Sequence, residues 1–143
     1  MVNKSELRIG NYLLGEHGKI QPVEYIGETI GLINEVGGTD KHQKNPIFSY
    51  DIEKLKYVIL DAKVLTKCGF DIYDDLDNDY TTYGNNGDDS DFFLQIDWRR
   101  KENGYCPLIK SVEYEQIGID IKYLHQLQNL YFCLTNEELQ CAI

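Results

Sequence analysis

The residues with the best spacing for chemistry are three aspartates in a short acidic segment. Asp75, Asp77 and Asp79 have the 1-3-5 spacing of the ligands in a calcium-binding loop. Such a loop surrounds the cation with oxygen atoms, and it also requires Gly at its sixth position and Glu at its twelfth. Those positions hold Tyr80 and Asn86 in this chain. The segment is therefore predicted to be a solvated loop, and a cation site is the less favoured interpretation.

The histidines and cysteines form no recognised catalytic motif. His17 lies between two glycines, His42 lies in a polar stretch and His125 lies within a helical pattern. No Ser or Cys stands in a nucleophile motif, and no glycine-rich phosphate loop is present. A pair formed only in the fold, such as Cys106 with His125, stays an alternative because spacing does not test it.

A candidate interaction face lies on the helix that is expected near the end of the chain. The segment 120–134 carries an apolar stripe at helical spacing: Tyr123, Leu124, Leu127, Leu130, Tyr131 and Leu134. The other side holds His125, Gln128, Asn129 and Phe132, which adjoin at i, i+3, i+4 and i+7. This face either packs against the amino-terminal part of the chain or binds a partner through Phe132. Internal packing is favoured because a phenylalanine side chain is usually buried.

A second short helix is predicted directly after this one. Thr135 and Glu138 have the spacing of a capping box, in which each side chain would accept a backbone N–H of the other. Leu134 and Leu139 flank the box as a hydrophobic staple.

Another helix start is predicted at Asp61. The aspartate is a favourable N-cap, and the helix is expected to run through Cys68. Leu60 and Leu65 are placed as staple partners, and Gly69 suits the left-handed residue that ends a helix.

The first 60 residues show about five short strand patterns separated by turns. They are Ile9–Leu14, Lys19–Ile26, Thr29–Asn34, Pro46–Tyr50 and Lys56–Leu60. One helical turn is expected at Asp51–Leu55. A small SH3-like barrel over residues 1–60 would remove exposed sheet edges by closing on itself.

Residues 61–143 are predicted to form a second unit packed against the barrel. The strand candidates are Asp71–Tyr73, Tyr80–Tyr83, Asp91–Arg99, Leu108–Glu115 and Ile117–Ile121. The predicted fold is therefore α+β, with a small SH3-like barrel followed by an antiparallel sheet that the C-terminal helices cover.

The charge of the chain is concentrated in one segment. The net charge is −10, and residues 71–97 contain nine Asp and no Lys, Arg or Glu. Such a field repels phosphate backbones, so direct nucleic-acid binding is not expected. No apolar run reaches the roughly 20 residues of a membrane span, and no apolar signal segment is evident. The four cysteines form no C-x-x-C pair, which predicts free thiols in a soluble cytoplasmic protein.

Three phrases carry a resemblance to a known group of proteins. They are Leu7-Arg-Ile-Gly-Asn-Tyr12, Val58 to Phe70 with its Leu-Thr-Lys-Cys-Gly-Phe ending, and Tyr123-Leu-His-Gln-Leu-Gln-Asn-Leu-Tyr-Phe132. The chain resembles an uncharacterised family of small proteins encoded by gut anaerobic bacteria, their phages and mobile elements. The family pattern has Thr at position 61 and Gly at position 136, where this chain has Asp and Asn. The resemblance implies a shared provenance and fold, and it implies no activity and no site residues.

These observations favour a non-enzymatic phage or mobile-element-type accessory protein that acts through contacts with an unknown protein partner. One alternative is an acidic decoy that imitates DNA, which ordered and evenly spaced carboxylates would favour. The other is a small metal-assisted enzyme that uses the cluster Asp74–Asp79. No cofactor is expected, and the sequence does not define an oligomeric state.

Overall fold

The computed structural model describes the backbone of most of the chain. The described ranges are 1–33, 46–77, 80–85, 93–99, 104–110, 114–116 and 120–143. Side chains are described in 1–33, 46–72 and 120–143, and at Gly84, Leu94, Ile96 and Tyr105. Within these ranges, ten strands form two antiparallel sheets and two α-helices pack with them, so the predicted α+β class is confirmed.

The first sheet is an antiparallel meander that returns to its first strand. Its strands are β1 (Tyr12–Leu14), β2 (Ile20–Ile26), β3 (Ile30–Ile33), β4 (Ile47–Tyr50) and β5 (Lys56–Tyr57). The order in the sheet is β4-β3-β2-β1-β5. A one-turn 3₁₀ helix, Ile52–Lys54, lies between β4 and β5 in the chain. Among the described residues β4 and β5 each pair with one neighbour. The sheet is therefore open, and closure into the predicted barrel is not confirmed.

The second sheet is also an antiparallel meander. Its strands are β6 (Phe70–Asp77), β7 (Tyr80–Asn85), β8 (Phe93–Arg99), β9 (Gly104–Lys110) and β10 (Tyr114–Gln116). They lie in the order β10-β9-β8-β7-β6, which confirms the predicted antiparallel sheet.

The acidic segment is a strand over most of its length, so the predicted solvated loop is wrong there. In β6, Asp74 pairs with Thr82 and Asp77 pairs with Tyr80 of β7. Strand pairing uses backbone groups, which aspartate has like any other residue. The tendency of aspartate to avoid strands is small, so pairing with a neighbouring strand overrides it. Asp79 lies outside the described residues.

Two clusters of buried apolar side chains form the core. The first belongs to the first sheet: Val2, Leu7, Leu13, Val23, Ile30, Leu32 and Leu55. The second lies between the second sheet and the helices: Val58, Leu60, Leu65, Cys68, Phe70, Leu94, Ile96, Ile121, Leu124, Leu127 and Leu139. Strand β1 serves both, because alternate side chains of a strand point to opposite faces. Leu13 is buried in the first cluster, whereas Tyr12 and Leu14 pack against the second.

The first α-helix, α1 (Ala62–Lys67), begins where the sequence predicts. The Asp61 carboxylate accepts a hydrogen bond from the Val64 N–H at 2.8 Å, which confirms Asp61 as the N-cap. Gly69 ends the helix in a left-handed conformation, with φ of +78°. Leu60 and Leu65 are both buried in the second cluster.

Loss of this cap should destabilise the fold in a way that depends on side-chain chemistry. We expect Asp61→Ala to lower the free energy of unfolding by about 1 kcal/mol, because the Val64 N–H loses its acceptor. Asp61→Thr should be nearly neutral, since threonine also caps. Urea unfolding of the three proteins tests this, and equal losses in both variants would contradict it.

The second α-helix, α2 (Leu124–Thr135), is a single helix, so the prediction of another helix after it is wrong. Asn136 takes a left-handed conformation with φ of 57° and ends α2. The Thr135 hydroxyl donates to the Tyr131 carbonyl at 2.8 Å and accepts the Glu137 N–H at 3.1 Å. The Glu138 carboxylate pairs with Arg8 and does not reach back to Thr135. Thr135 thus makes hydrogen bonds at the C-terminal end of α2, and Glu138 helps to fix the position of the tail that follows.

The cysteines do not all stay free, which corrects the expectation of free thiols. A disulfide joins Cys68 at the end of α1 to Cys141 in the tail, across 73 residues of sequence. The Ala142 N–H also donates to the Lys67 carbonyl at 2.8 Å. Cys133 is free and exposed. Spacing gives no sign of this pairing because the two segments meet only in the fold, and cysteine usage no longer supports a cytoplasmic location.

In the described part of the chain, no helix is long and apolar enough to cross a membrane.

Candidate functional site

The predicted face of α2 lies against the amino-terminal part of the chain, and we call this contact the seam. It joins His125, Gln128, Asn129 and Phe132 to the segment 6–12 and to Tyr57. Its residues therefore contact the chain itself, and His125 and Gln128 are each only 1% exposed.

Gln128 makes the most specific contact of the seam. Its Oε1 accepts the Tyr12 N–H at 2.9 Å, and its Nε2 donates to the Gly10 carbonyl at 3.0 Å. The side-chain amide thus pairs with the backbone at the start of β1 much as a neighbouring strand would. Because the amide is buried, both bonds are needed to offset its desolvation.

Asn129 holds the segment that precedes β1. Its Nδ2 donates to the Glu6 carbonyl at 2.9 Å, and its Oδ1 accepts from Asn11 Nδ2 at 3.0 Å and from Arg8 Nη1 at 3.2 Å. Asn11 is fully buried, and its own Oδ1 accepts the Arg8 N–H at 2.8 Å. The polar atoms of this side of the seam are therefore paired with one another.

Phe132 closes the seam through a cation–π contact. The guanidinium carbon of Arg8 lies 3.8 Å from the centroid of the Phe132 ring. The same guanidinium pairs with the Glu138 carboxylate of the tail. Phe132 is half-buried, so Arg8 covers part of the surface that a partner would otherwise contact.

His125 lies in an aromatic cluster at the other end of the seam. Its ring stacks on Tyr57 with centroids 4.2 Å apart and planes 19° apart, and its centroid is 5.9 Å from that of Tyr123. Among the described residues neither ring nitrogen has a hydrogen-bond partner. Glu6 Oε2 lies 3.6 Å from Nε2.

The charges around this cluster favour a neutral ring beside an ionised carboxylate. Burial lowers the pKa of His125, and the nearby Glu6 carboxylate opposes that effect. The Tyr57 hydroxyl donates to Glu6 Oε2 at 2.9 Å and Asn3 Nδ2 donates to Oε1 at 3.1 Å, and these bonds lower the pKa of Glu6. Burial raises the pKa of Tyr57. His125, Glu6 and Tyr57 thus form a titratable cluster, which we call the joint. The His125 imidazole is too enclosed to reach a substrate in this structure.

A cleft of about 440 Å³ lies beside the cluster, and we call it the tyrosine cleft. Tyr57 and Tyr123 form part of its lining. The other lining residues are Met1, Val2, Glu53, Leu55, Lys56 and Ile59. Ile59 is 69% exposed and adds a large aliphatic side chain to this concave surface.

The structure leaves the predicted acidic site and the alternative pair of Cys106 with His125 undecided. Asp75 and Asp77 lie in β6 with side chains outside the described residues, where Asp79 also falls. Cys106 lies in β9, and its side chain is likewise not described. Within the described residues no three His, Cys, Asp or Glu side chains group as metal ligands.

Sequence reasoning missed the residues that complete the seam from the amino-terminal side. Glu6, Arg8 and Tyr57 are more than 60 positions away from their partners on α2. No local spacing signals such contacts. No protein-family model, no curated protein and no solved structure matches the chain.

Removal of the Gln128 amide should be costly because it leaves two backbone groups unpaired. We expect Gln128→Ala to lower the free energy of unfolding by about 1–3 kcal/mol. Gln140→Ala, at an exposed glutamine of the tail, should change it by less than about 0.5 kcal/mol. Urea unfolding at neutral pH compares them, and similar small losses would mean that the seam opens freely.

The buried histidine should make stability depend on pH. Because the folded-state pKa of His125 is lowered, the unfolded chain binds the proton first as the pH falls. Stability is then complete above the ordinary value of 6.5 and declines as the pH falls from there towards the folded-state pKa. The slope should be at most about 1.4 kcal/mol per pH unit.

Variants assign this slope to one ring. His125→Gln should remove the decline between pH 7.5 and 5, whereas His17→Gln, at an exposed turn residue, should keep it. Urea unfolding at half-unit pH steps measures the slope. The pKa of Glu6 is lowered from its ordinary value of 4.5, so the stability that Glu6 contributes is lost as the pH falls below that value, outside this window. A decline that persists in His125→Gln would exclude His125 as its source.

Proposed function

We propose that this protein is a non-enzymatic accessory protein, of the type encoded by phages and mobile elements, that acts through protein–protein contacts. The observation that carries the proposal is the tyrosine cleft with its exposed Ile59. Its occupant would be one or two apolar side chains of a partner protein. The provenance rests on the sequence resemblance alone.

The lining of the tyrosine cleft has the character of an interface centre. Tyr57 and Tyr123 contact each other with ring centroids 4.7 Å apart, so the rings support one another and lose little freedom on binding. Ile59 adds exposed aliphatic surface, and the charged Glu53 and Lys56 are also in the lining. Aromatic and aliphatic anchors with polar neighbours are the usual composition of such centres.

Two titratable groups that adjoin the tyrosine pair are committed to contacts inside the protein. His125 contacts both tyrosines but does not line the cleft, and it is 1% exposed. The Glu6 carboxylate accepts two hydrogen bonds within the joint. This arrangement supports binding over catalysis at this position.

A finer proposal concerns the architecture of residues 1–60. A five-stranded antiparallel meander whose last strand pairs with the first has the connectivity of a small barrel. The 3₁₀ helix Ile52–Lys54 before β5 fits an SH3-like version of that barrel. Such folds host many functions, so the fold supports an adaptor role only by analogy.

A second candidate is the acidic decoy that imitates DNA. The observation that favours it is the placement of Asp71, Asp74, Asp75 and Asp77 on β6, at one edge of the second sheet. The pairing of β6 with β7 shifts register between Ile72 and Asp74 and again between Asp74 and Asp77, so these aspartates share one strand without a uniform register.

Capture with matched variants tests the proposal. The wild-type protein, Ile59→Ser and Ile72→Ser would serve as baits in lysate of the encoding organism. Ile72 is 61% exposed and does not line the tyrosine cleft, so it matches Ile59 in type and exposure. We expect a protein that Ile59→Ser recovers at least about tenfold less well and Ile72→Ser recovers normally, as for loss of an interface anchor.

The alternatives give different results in the same experiment. Both substitutions are at exposed positions, so all three melting curves should agree. A captured protein that Ile59→Ser retains and duplex DNA displaces would favour the decoy. Recovery that is equal for all three baits and insensitive to DNA would contradict both functions.

A further inference from the structure

A second cleft, of about 390 Å³, lies where the first sheet meets the end of α1 and the tail. We call it the lysine cleft, because Lys19 and Lys67 both line it. Lys19 directly precedes β2, whereas Lys67 is the last residue of α1. Two distant parts of the sequence thus each contribute a lysine to the lining of one concave surface.

These two positive charges are not neutralised by the protein. In the part of the chain that the structure describes, neither ammonium group takes part in an ion pair or a side-chain hydrogen bond. The chain as a whole has a net charge of −10, so unpaired lysines that share a cleft stand out against that background. Like charges near one another raise the free energy of the empty cleft, and an anion between them would lower it.

One wall of the lysine cleft is apolar, although the cleft as a whole exposes more polar than apolar surface. Ile20, Pro22 and Ile33 line it together with Tyr12. Tyr12 and Ile20 also pack against the second core cluster, so this wall is supported from behind. Pockets for small molecules usually combine such an apolar lining with a few polar groups that fix orientation, in a volume of about 300–1,000 Å³.

The tail completes the cleft on the side of α1. Ile143 lines it, and the disulfide between Cys68 and Cys141 holds the tail near that position. The Ala142 N–H bonds the carbonyl of Lys67 itself. The backbone of one lysine and the wall beside it are therefore fixed together, which favours a preformed site.

We propose that the lysine cleft binds a small organic anion, with an aromatic or aliphatic body on the apolar wall and one acid group between Lys19 and Lys67. This site is separate from the tyrosine cleft, since the two share no lining residue. It gives the protein a small-molecule ligand that is independent of its protein partner.

Two dyes of similar shape and different charge test the proposal. The anionic probe is 8-anilinonaphthalene-1-sulfonate, and the neutral probe is N-phenyl-1-naphthylamine, both followed by fluorescence titration of the intact chain. We expect Lys19→Gln and Lys67→Gln each to raise the Kd of the anionic dye about two- to fivefold, and the double variant about tenfold. The Kd of the neutral dye should not change.

Controls separate charge from shape. Lys54→Gln, which removes an exposed lysine that does not line the lysine cleft, should leave both dyes unaffected. Lys19→Arg with Lys67→Arg should restore anionic binding, because the charge is retained. Equal anionic binding by the wild type and the double glutamine variant would overturn the proposal, and so would parallel losses for the neutral dye. Failure of the wild type to bind the anionic dye would also overturn it.

Discussion

The buried amide of Gln128 is the constraint on which the rest of the structure depends. An amide that is 1% exposed must satisfy both its donor and its acceptor, and it does so only on the Gly10 carbonyl and the Tyr12 N–H. These two bonds fix the rotation and height of α2 against β1. Helical spacing then brings Asn129 to the segment before β1, Phe132 to Arg8, and His125 to Tyr57. The other contacts of the seam follow from this one.

Strand β1 extends the same constraint into both cores. Alternate side chains of β1 enter different clusters. The packing of each sheet therefore depends on the position of the other. Both clefts lie at the boundary that results. Tyr123 of the second unit completes the tyrosine cleft, and Lys67 and Ile143 complete the lysine cleft. Ligand sites are common where two packed units meet, since convex surfaces leave concave space between them.

The sequence predicts the features that depend on near neighbours and misses those that depend on distant ones. The Asp61 cap and the antiparallel second sheet are confirmed because capping spacing and strand alternation act over a few residues. The capping box at Thr135 is wrong because the left-handed Asn136 ends α2 there and Glu138 pairs with the distant Arg8. The Cys68–Cys141 bond joins segments 73 positions apart, so spacing carries no signal for it. The predicted barrel is not confirmed at the point of closure, which depends on pairing between strands rather than on any one strand.

The charge states of His125 and Glu6 show how ionisable groups are accommodated in the seam. A buried imidazole costs least as the neutral form, and burial lowers the pKa of His125 in that direction. The Glu6 carboxylate stays exposed enough to remain charged, and hydrogen bonds from Tyr57 and Asn3 stabilise that charge. Charge thus stays at the rim of the joint while its interior is aromatic and neutral. The same division separates the two clefts: the tyrosine cleft beside this joint suits an apolar anchor, whereas the lysine cleft has cations that nothing in the described chain neutralises.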